Sequence, residues 1–94
     1  MSEGARVSLA PMARLKWDRK DGRHMLLSPE RGLVLNETAK LVVDLCDGTR
    51  ETTEIIAHCV GRFSGASPER IEREVRALLT ELRARALIVG YSDP

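Results

Sequence analysis

Aromatic side chains are nearly missing from this chain, with one Trp, one Tyr and one Phe among 94 residues. Trp17, Phe63 and Tyr91 stand far apart in sequence and offer no row of rings on which single-stranded bases could stack. The core has to be built from Leu, Val, Ile and Ala instead. An excess of one charge is missing too. Fifteen basic against fourteen acidic residues leave a formal net charge of +1, so no bulk attraction draws the molecule toward nucleic acid or an anionic membrane. No apolar run reaches the roughly 18 residues needed for a membrane span, and MSEGARVSLAPMARLKW has no hydrophobic signal core, which reads as a cytoplasmic protein. The two cysteines, Cys46 and Cys59, fall on apolar helix faces without a close-spaced partner. That placement suits reduced, buried thiols better than a disulfide framework.

Catalytic groupings are scarce as well. His24 and His58 belong to different elements, and spacing implies no Ser/His/Asp or paired-carboxylate constellation, so the chain reads as non-catalytic. His58 and Cys59 point to different faces of one helix, and no CxxC or HxxxH pair offers two ligands to one ion. No metal or cofactor is expected. The length allows a single domain with one modest core. Residues 1–11 read as a flexible arm ended by Pro11, residues 12–91 as the domain and residues 92–94 as a tail.

The chain is organised around Leu26–Gly48, LLSPERGLVLNETAKLVVDLCDG. Ser28-Pro29-Glu30 is turn chemistry, because proline presets φ and the serine hydroxyl can bond back to the turn. Gly32–Leu35 follows as a short strand. Asn36 is a favoured N-cap, and Glu37 suits the positive end of a helix that begins there. Ala39, Leu41, Val42, Val43, Leu45 and Cys46 cover more than half of that helix, which marks it as central, and Gly48 reads as its left-handed C′ residue. Upstream, Ala13–Trp17 alternates apolar with basic residues, Asp21-Gly22 is a hairpin turn, and His24–Leu27 returns. Together with Gly32–Leu35 this predicts a three-stranded antiparallel meander.

Downstream, Thr52 reads as the N-cap of a second helix reaching about Phe63, with Ile55, Ile56, Cys59, Val60 and Phe63 on one face. After the breaker Ser64-Gly65-Ala66, Ser67-Pro68 supplies an N-cap and N1 proline for the longest helix. Its stripe is Ile71, Val75, Leu78, Leu79 and Leu82. Glu69/Arg73, Glu72/Arg76 and Glu81/Arg85 have the spacing for ion pairs along it. Leu87–Tyr91 forms either an edge strand or a packed tail. The fold class is therefore α+β, a three-stranded antiparallel N-terminal sheet followed by three helices, in the outline of a winged helix-turn-helix.

Trp17-Asp18, Leu26-Leu27, Pro29-Glu30-Arg31, Leu35-Asn36, Ala39 and Leu45-Cys46-Asp47-Gly48, followed by Glu54-Ile55-Ile56, Phe63, Glu74-Val75, Leu78-Leu79, Leu82 and Leu87-Ile88, resemble the PQQ (pyrroloquinoline quinone) biosynthesis protein D family. The resemblance runs from about Ala10 to Val89 and departs at His24-Met25, where many members place an aromatic. It implies a non-catalytic peptide chaperone, a precursor-peptide recognition element without a cofactor of its own. Such a module binds the ribosomally made PQQ precursor peptide and presents it to a radical SAM enzyme.

The residues supply a physical basis for peptide binding. A meander has a free edge whose unpaired N–H and C=O groups can take an extended peptide as an added strand. Arg31, Gly32, Leu33, Val34 and Leu35 form the candidate edge, with Gly32 allowing close backbone approach. Ile71, Arg73, Val75, Arg76, Leu78 and Leu79 of the third helix form the opposite wall. Leu33, Leu35, Val75 and Leu79 would give apolar pockets, or else belong to the core. Arg31, Arg73 and Arg76 would hold acidic side chains of the peptide. The alternative is a winged-helix DNA-binding protein contacting phosphates through Arg70, Arg73, Arg76 and Arg83, which the near-neutral charge opposes. A homodimer through the free edge, or by exchange of arm and tail, stays open.

Overall fold

Gly22, at φ +65° with open space where a Cβ would stand, lets the chain reverse after Asp18 as the Asp-Gly pair predicts. In the computed structural model, which describes residues 5–29 and 31–91, the elements follow in order. They are β1 (Arg6–Leu9), β2 (Arg14–Asp18), β3 (Arg23–Ser28), β4 (Arg31–Leu35), α1 (Glu37–Leu45), β5 (Asp47–Glu51), α2 (Thr52–Arg62), α3 (Pro68–Ala84) and β6 (Ile88–Val89). The expected meander is present as the antiparallel sheet β2-β3-β4, in the register Leu15↔Leu26↔Leu33 and Trp17↔His24↔Leu35.

A second antiparallel sheet, β5-β1-β6, takes Ile88–Val89 as the edge strand left open for Leu87–Tyr91, while its other two strands were not expected. It corrects the reading of residues 1–11 as a flexible arm, because Arg6–Leu9 is its central strand; residues 1–4 lie outside the described part. Val7 has no exposed surface, and Leu9 N–H donates to the Cys46 carbonyl (3.1 Å) while Ala10 N–H donates to that of Leu87 (2.9 Å). One buried apolar residue and two flanking ladders hold the strand in place.

The helix caps agree with the sequence at two ends and differ at two others. Asn36 Oδ1 accepts from Ala39 N–H at 2.8 Å, and Ser67 Oγ accepts from Arg70 N–H at 3.2 Å with Pro68 in the first turn. Asn36→Ala is expected to cost about 1 kcal/mol, lowering Tm by about 4–8 °C in a domain of this size. Thermal unfolding followed by circular dichroism checks it, and an unchanged Tm would show that water replaces the cap. Gly48, by contrast, is not a helix C′ residue. The helix stops at Leu45 with Cys46 as C-cap, and Gly48 (φ +86°) lies inside β5. Arg6 faces Glu51 and Ser8 faces Asp47, so β5 carries more chain than β1 between the same rungs. Gly48 supplies the left-handed residue of that bulge. Asp47 closes the turn, its carboxylate accepting from Thr49 N–H and Thr49 Oγ1. Those hydrogen bonds, together with Arg50, hold the Asp47 carboxyl below its ordinary value. Thr52 is not the cap of α2 either. β5 carries it into the core, where it is buried and its hydroxyl has no partner, and Glu51 caps the helix, its N–H donating to Glu54 Oε1 at 2.9 Å.

Val7, Leu26, Val42, Ile55, Cys59, Val75, Leu79 and Leu82 have no exposed surface and form the middle of one core. α3 packs on α1, α2 and β6. Tyr91, buried, closes that end of the chain by donating its hydroxyl to the Arg76 carbonyl (3.4 Å) with Thr80 Oγ1 3.3 Å away.

Candidate peptide-binding edge

Each sheet has two edges, and they differ in what they offer another chain. β6 is two residues long and β5 is bulged beside Gly48. β2 reads RLKWD, and charged residues along an edge discourage further pairing. β4 reads RGLVL, pairs among the described residues with β3 alone, and is uncharged from Gly32 to Leu35. Successive residues of a strand direct their N–H and C=O groups to opposite sides. About half of the polar backbone of β4 therefore faces away from β3, toward whatever lies beyond the edge.

The side chains of β4 alternate as the pleat requires. Leu35 is buried, Leu33 half-buried against the core, and Val34 45% exposed on the other face. The first turn of α1, the α2–α3 connection and the start of α3 enclose an open notch of about 390 Å³. Phe63, Ala66 and Ile71 supply its apolar wall, with Thr38, Arg62 and Glu74 around them. Apolar walls with a few polar groups at the mouth are what a side-chain anchor needs. A second hollow of about 480 Å³ borders the end of β4 and the start of α1. Trp17, His24, Leu35, Glu37 and Arg62 are among its lining residues. Trp17, half exposed, meets His24 edge to face with ring centroids 4.7 Å apart. Arg62 reaches both hollows.

Neither thiol takes part in this surface. Cys46 and Cys59 are buried and free, and burial, with Asp47 and Cys59 nearby, pushes the Cys46 thiol up to about 12. Burial raises Cys59 as well. Both are protonated at neutral pH, which suits packing rather than nucleophilic chemistry.

The profile of a family described as coenzyme PQQ synthesis protein D matches residues 23–88, which span β3, β4, every helix and Ile88. The chain belongs to the coenzyme PQQ synthesis protein D family. A PqqA binding protein of Rhodopseudomonas palustris strain TIE-1 is similar over 88 residues at 36% identity, 94% of this chain and 85% of that one. The solution structure of the PqqD truncation of Methylobacterium extorquens PqqCD, described as a stand-alone recognition element for ribosomally synthesised and post-translationally modified peptides, superposes with a TM-score of 0.70. It shares 28% identity and covers 87% of this chain and 86% of that one. A lasso peptide synthetase B1 complexed with its leader peptide has the same fold, with TM-score 0.74, 21% identity, and coverage of 90% and 99%.

Within this coenzyme PQQ synthesis protein D fold, the residues expected at the site divide into two groups. Gly32, Leu33, Val34 and Leu35 form the free edge, and Ile71 lines the notch between the starts of α1 and α3. The backbone of Arg31 begins the same strand. Val75 and Leu79, expected as pocket walls, have no exposed surface and belong wholly to the core, while Leu78 is half-buried. Gly32 does not leave a gap either. A Cβ there would stand 3.1 Å from Leu27 Cδ2 and 3.3 Å from Met25 Cε, so neighbouring side chains already occupy that space. Phe63, Ala66, Thr38 and Arg62 were missed. Their signal was an aromatic placed just before the small-residue breaker between two helices.

The arginines of α3 do not form a free basic row. Arg70 is bonded to Glu74 and Arg76 to Glu72, each at 3.0 Å, and Arg85 pairs with Glu81. Arg73 is exposed but makes no ion pair with Glu69, contrary to the spacing, and Arg83 also has a partner. Intrahelical pairing of this kind leaves little for a phosphate backbone. No helix among the described residues is long and apolar enough to cross a membrane.

Proposed function

We propose that this protein binds the ribosomally made PqqA precursor peptide of PQQ biosynthesis, without catalysing a reaction itself, and presents it to a radical SAM enzyme of that pathway. The observation that carries the reading is the uncharged, unpaired β4 edge in a chain of the coenzyme PQQ synthesis protein D family. The peptide lies alongside Gly32–Leu35 as an added strand. Backbone hydrogen bonds supply affinity, and side chains on alternate positions supply specificity. One apolar peptide residue seats against Phe63, Ala66 and Ile71. Arg31, Arg73 and Arg76 offer positive charge to acidic peptide side chains, and Arg73 lacks the Glu72 pairing that holds Arg76. Bringing peptide and enzyme onto one module raises the peptide's effective concentration at the enzyme.

An amide NMR titration with the precursor peptide, against a DNA duplex, tests this. Peptide is expected to shift Gly32–Leu35 and the notch residues Thr38, Phe63, Ala66 and Ile71, while the duplex shifts none of them. Shifts confined to Arg70–Arg83, seen with DNA and weakened by salt, would overturn the proposal. The same edge can pair with a second copy of itself, so any homodimer formed through β4 should dissociate as peptide is added.

A further inference from the structure

The two faces of the meander differ sharply. Cross-strand partners share a face, so Leu15, Trp17, His24, Leu26, Leu33 and Leu35 lie on the inner side, while Arg14, Lys16, Met25, Leu27 and Val34 lie on the outer, with Asp18 and Arg23 at its far end. Leu26 and Leu35 are buried, but Val34 is 45% exposed and Met25 and Leu27 remain partly open. The ends of Leu27 and Met25 reach the space that a Cβ at Gly32 would fill. At one end this face continues into an open hollow of about 600 Å³ between Pro11, Met12, Arg14, Leu27 and Pro29, beside Met12, which is 68% exposed. Two cations flank this apolar surface. Arg14 and Lys16 form no ion pair among the described residues, whereas Arg23 is held by Asp21 and three arginines of α3 and its C-cap are held by glutamates.

We propose that the outer face of the meander docks a second protein, one presenting an apolar anchor flanked by carboxylates. Resting on the function proposed above, that protein is the enzyme receiving the peptide. The apolar centre with unpaired cations on one flank fixes the complementary chemistry. Nucleic acid is a poorer occupant, since the face holds two free cations and no stacking ring on that side. A strand added to β4 lengthens the sheet without covering either face. Peptide and enzyme are thus bound together, with the peptide emerging at the border of the enzyme contact.

The test is binding of the full chain to the radical SAM enzyme, with the precursor peptide measured in parallel. The double variant Arg14→Glu/Lys16→Glu changes exposed residues outside the β4 edge. Its affinity for the enzyme is expected to fall at least ~tenfold, with wild-type binding weakened by added salt and peptide affinity unchanged. Met12→Ser is expected to weaken the enzyme complex in the same selective way. Enzyme-induced NMR shifts in the wild-type chain should gather on Met25, Leu27 and Val34, which keeps the test independent of any variant. Unchanged enzyme affinity in both variants, or shifts elsewhere, overturns the docking face and leaves the peptide proposal standing. A wild-type chain that binds peptide but never the enzyme overturns the docking face and the presentation step together. Dissociation of a self-associated chain by the charge reversal, without loss of enzyme binding, would assign the face to a second copy and overturn the proposal.

Discussion

Gly90→Ala is expected to lower the Tm by at least about 12 °C, the largest effect of a Gly→Ala change at any described glycine. Gly90 follows β6 at φ +91°, a backbone region costly for any residue with a Cβ. A Cβ there would also stand 2.0 Å from the Arg6 carbonyl oxygen and 2.9 Å from its carbon. Both groups are backbone, so no side-chain rotation relieves the contact, and β6 must separate from β1. Strain at such a position costs about 1–3 kcal/mol before the clash is counted, which places the total at about 3 kcal/mol or more. The loss spreads because β1 brings Val7 into the core while the β6 segment brings Leu87, Ile88 and Tyr91. Gly61→Ala is the control. It sits within α2 with nothing within 4 Å of its would-be Cβ, and is expected to raise stability by about 0.5–1 kcal/mol. A Gly90→Ala protein melting beside the wild type would mean that β1 and β6 do not pair as described.

That sheet was the part of the fold hidden from the sequence, and the reason is physical. The meander is built from neighbours in sequence, so a local turn signal at Asp21-Gly22 and alternation in Ala13–Trp17 are enough to reveal it. The helices announce themselves through Asn36 and Ser67-Pro68. β1 has no such help. Its partners are β5, in the middle of the chain, which has no strand-like composition, and β6, near its end, whose Ile88-Val89 suits a strand but is too short to fix a partner. DGTRE is polar with a glycine, and a two-residue strand has no period. Only the tertiary contact of Val7 decides that RVSL is a strand. The Asp47-Gly48 pair was visible, but a left-handed glycine after a helix and one in a bulge look alike until the pairing is known.

The free β4 edge was legible for a related reason, and the notch lined by Ile71 was not. Whether a strand is free depends on what it leaves unpaired, and GLVL ending at the Asn36 cap has no further strand beside it to pair with. The helical stripe of α3, however, does not separate groove from core. Val75 and Leu79 lie in that stripe with Ile71, yet Ile71 also lines an open notch while the other two are sealed. Depth is set by the neighbouring elements, here α1 and α2, and the 3.6-residue period carries no information about them.

Strand addition makes a sharper prediction through a pair of prolines. Leu33→Pro and Val34→Pro each remove one N–H from β4, and consecutive N–H groups of a strand point to opposite sides. One of the two variants therefore breaks the β3–β4 ladder, while the other removes a donor from the free edge alone. The ladder variant is expected to lose about 1–3 kcal/mol of stability, more if it is Leu33→Pro, because that leucine also packs against the core. Prolines are tolerated on the open side of an edge strand, so the second variant should melt within a few degrees of the wild type. Its peptide affinity, measured by isothermal titration calorimetry below the Tm of both variants, should nonetheless fall about tenfold or more. The missing hydrogen bond accounts for about 1 kcal/mol, and the ring obstructing the incoming strand adds to it. Two folded variants that both keep wild-type peptide affinity would rule out pairing along β4 and leave the notch beside Phe63 as the remaining anchor. A fold-neutral proline that abolishes binding places the peptide backbone against this strand, because no side chain of the groove has been altered except at the substituted position.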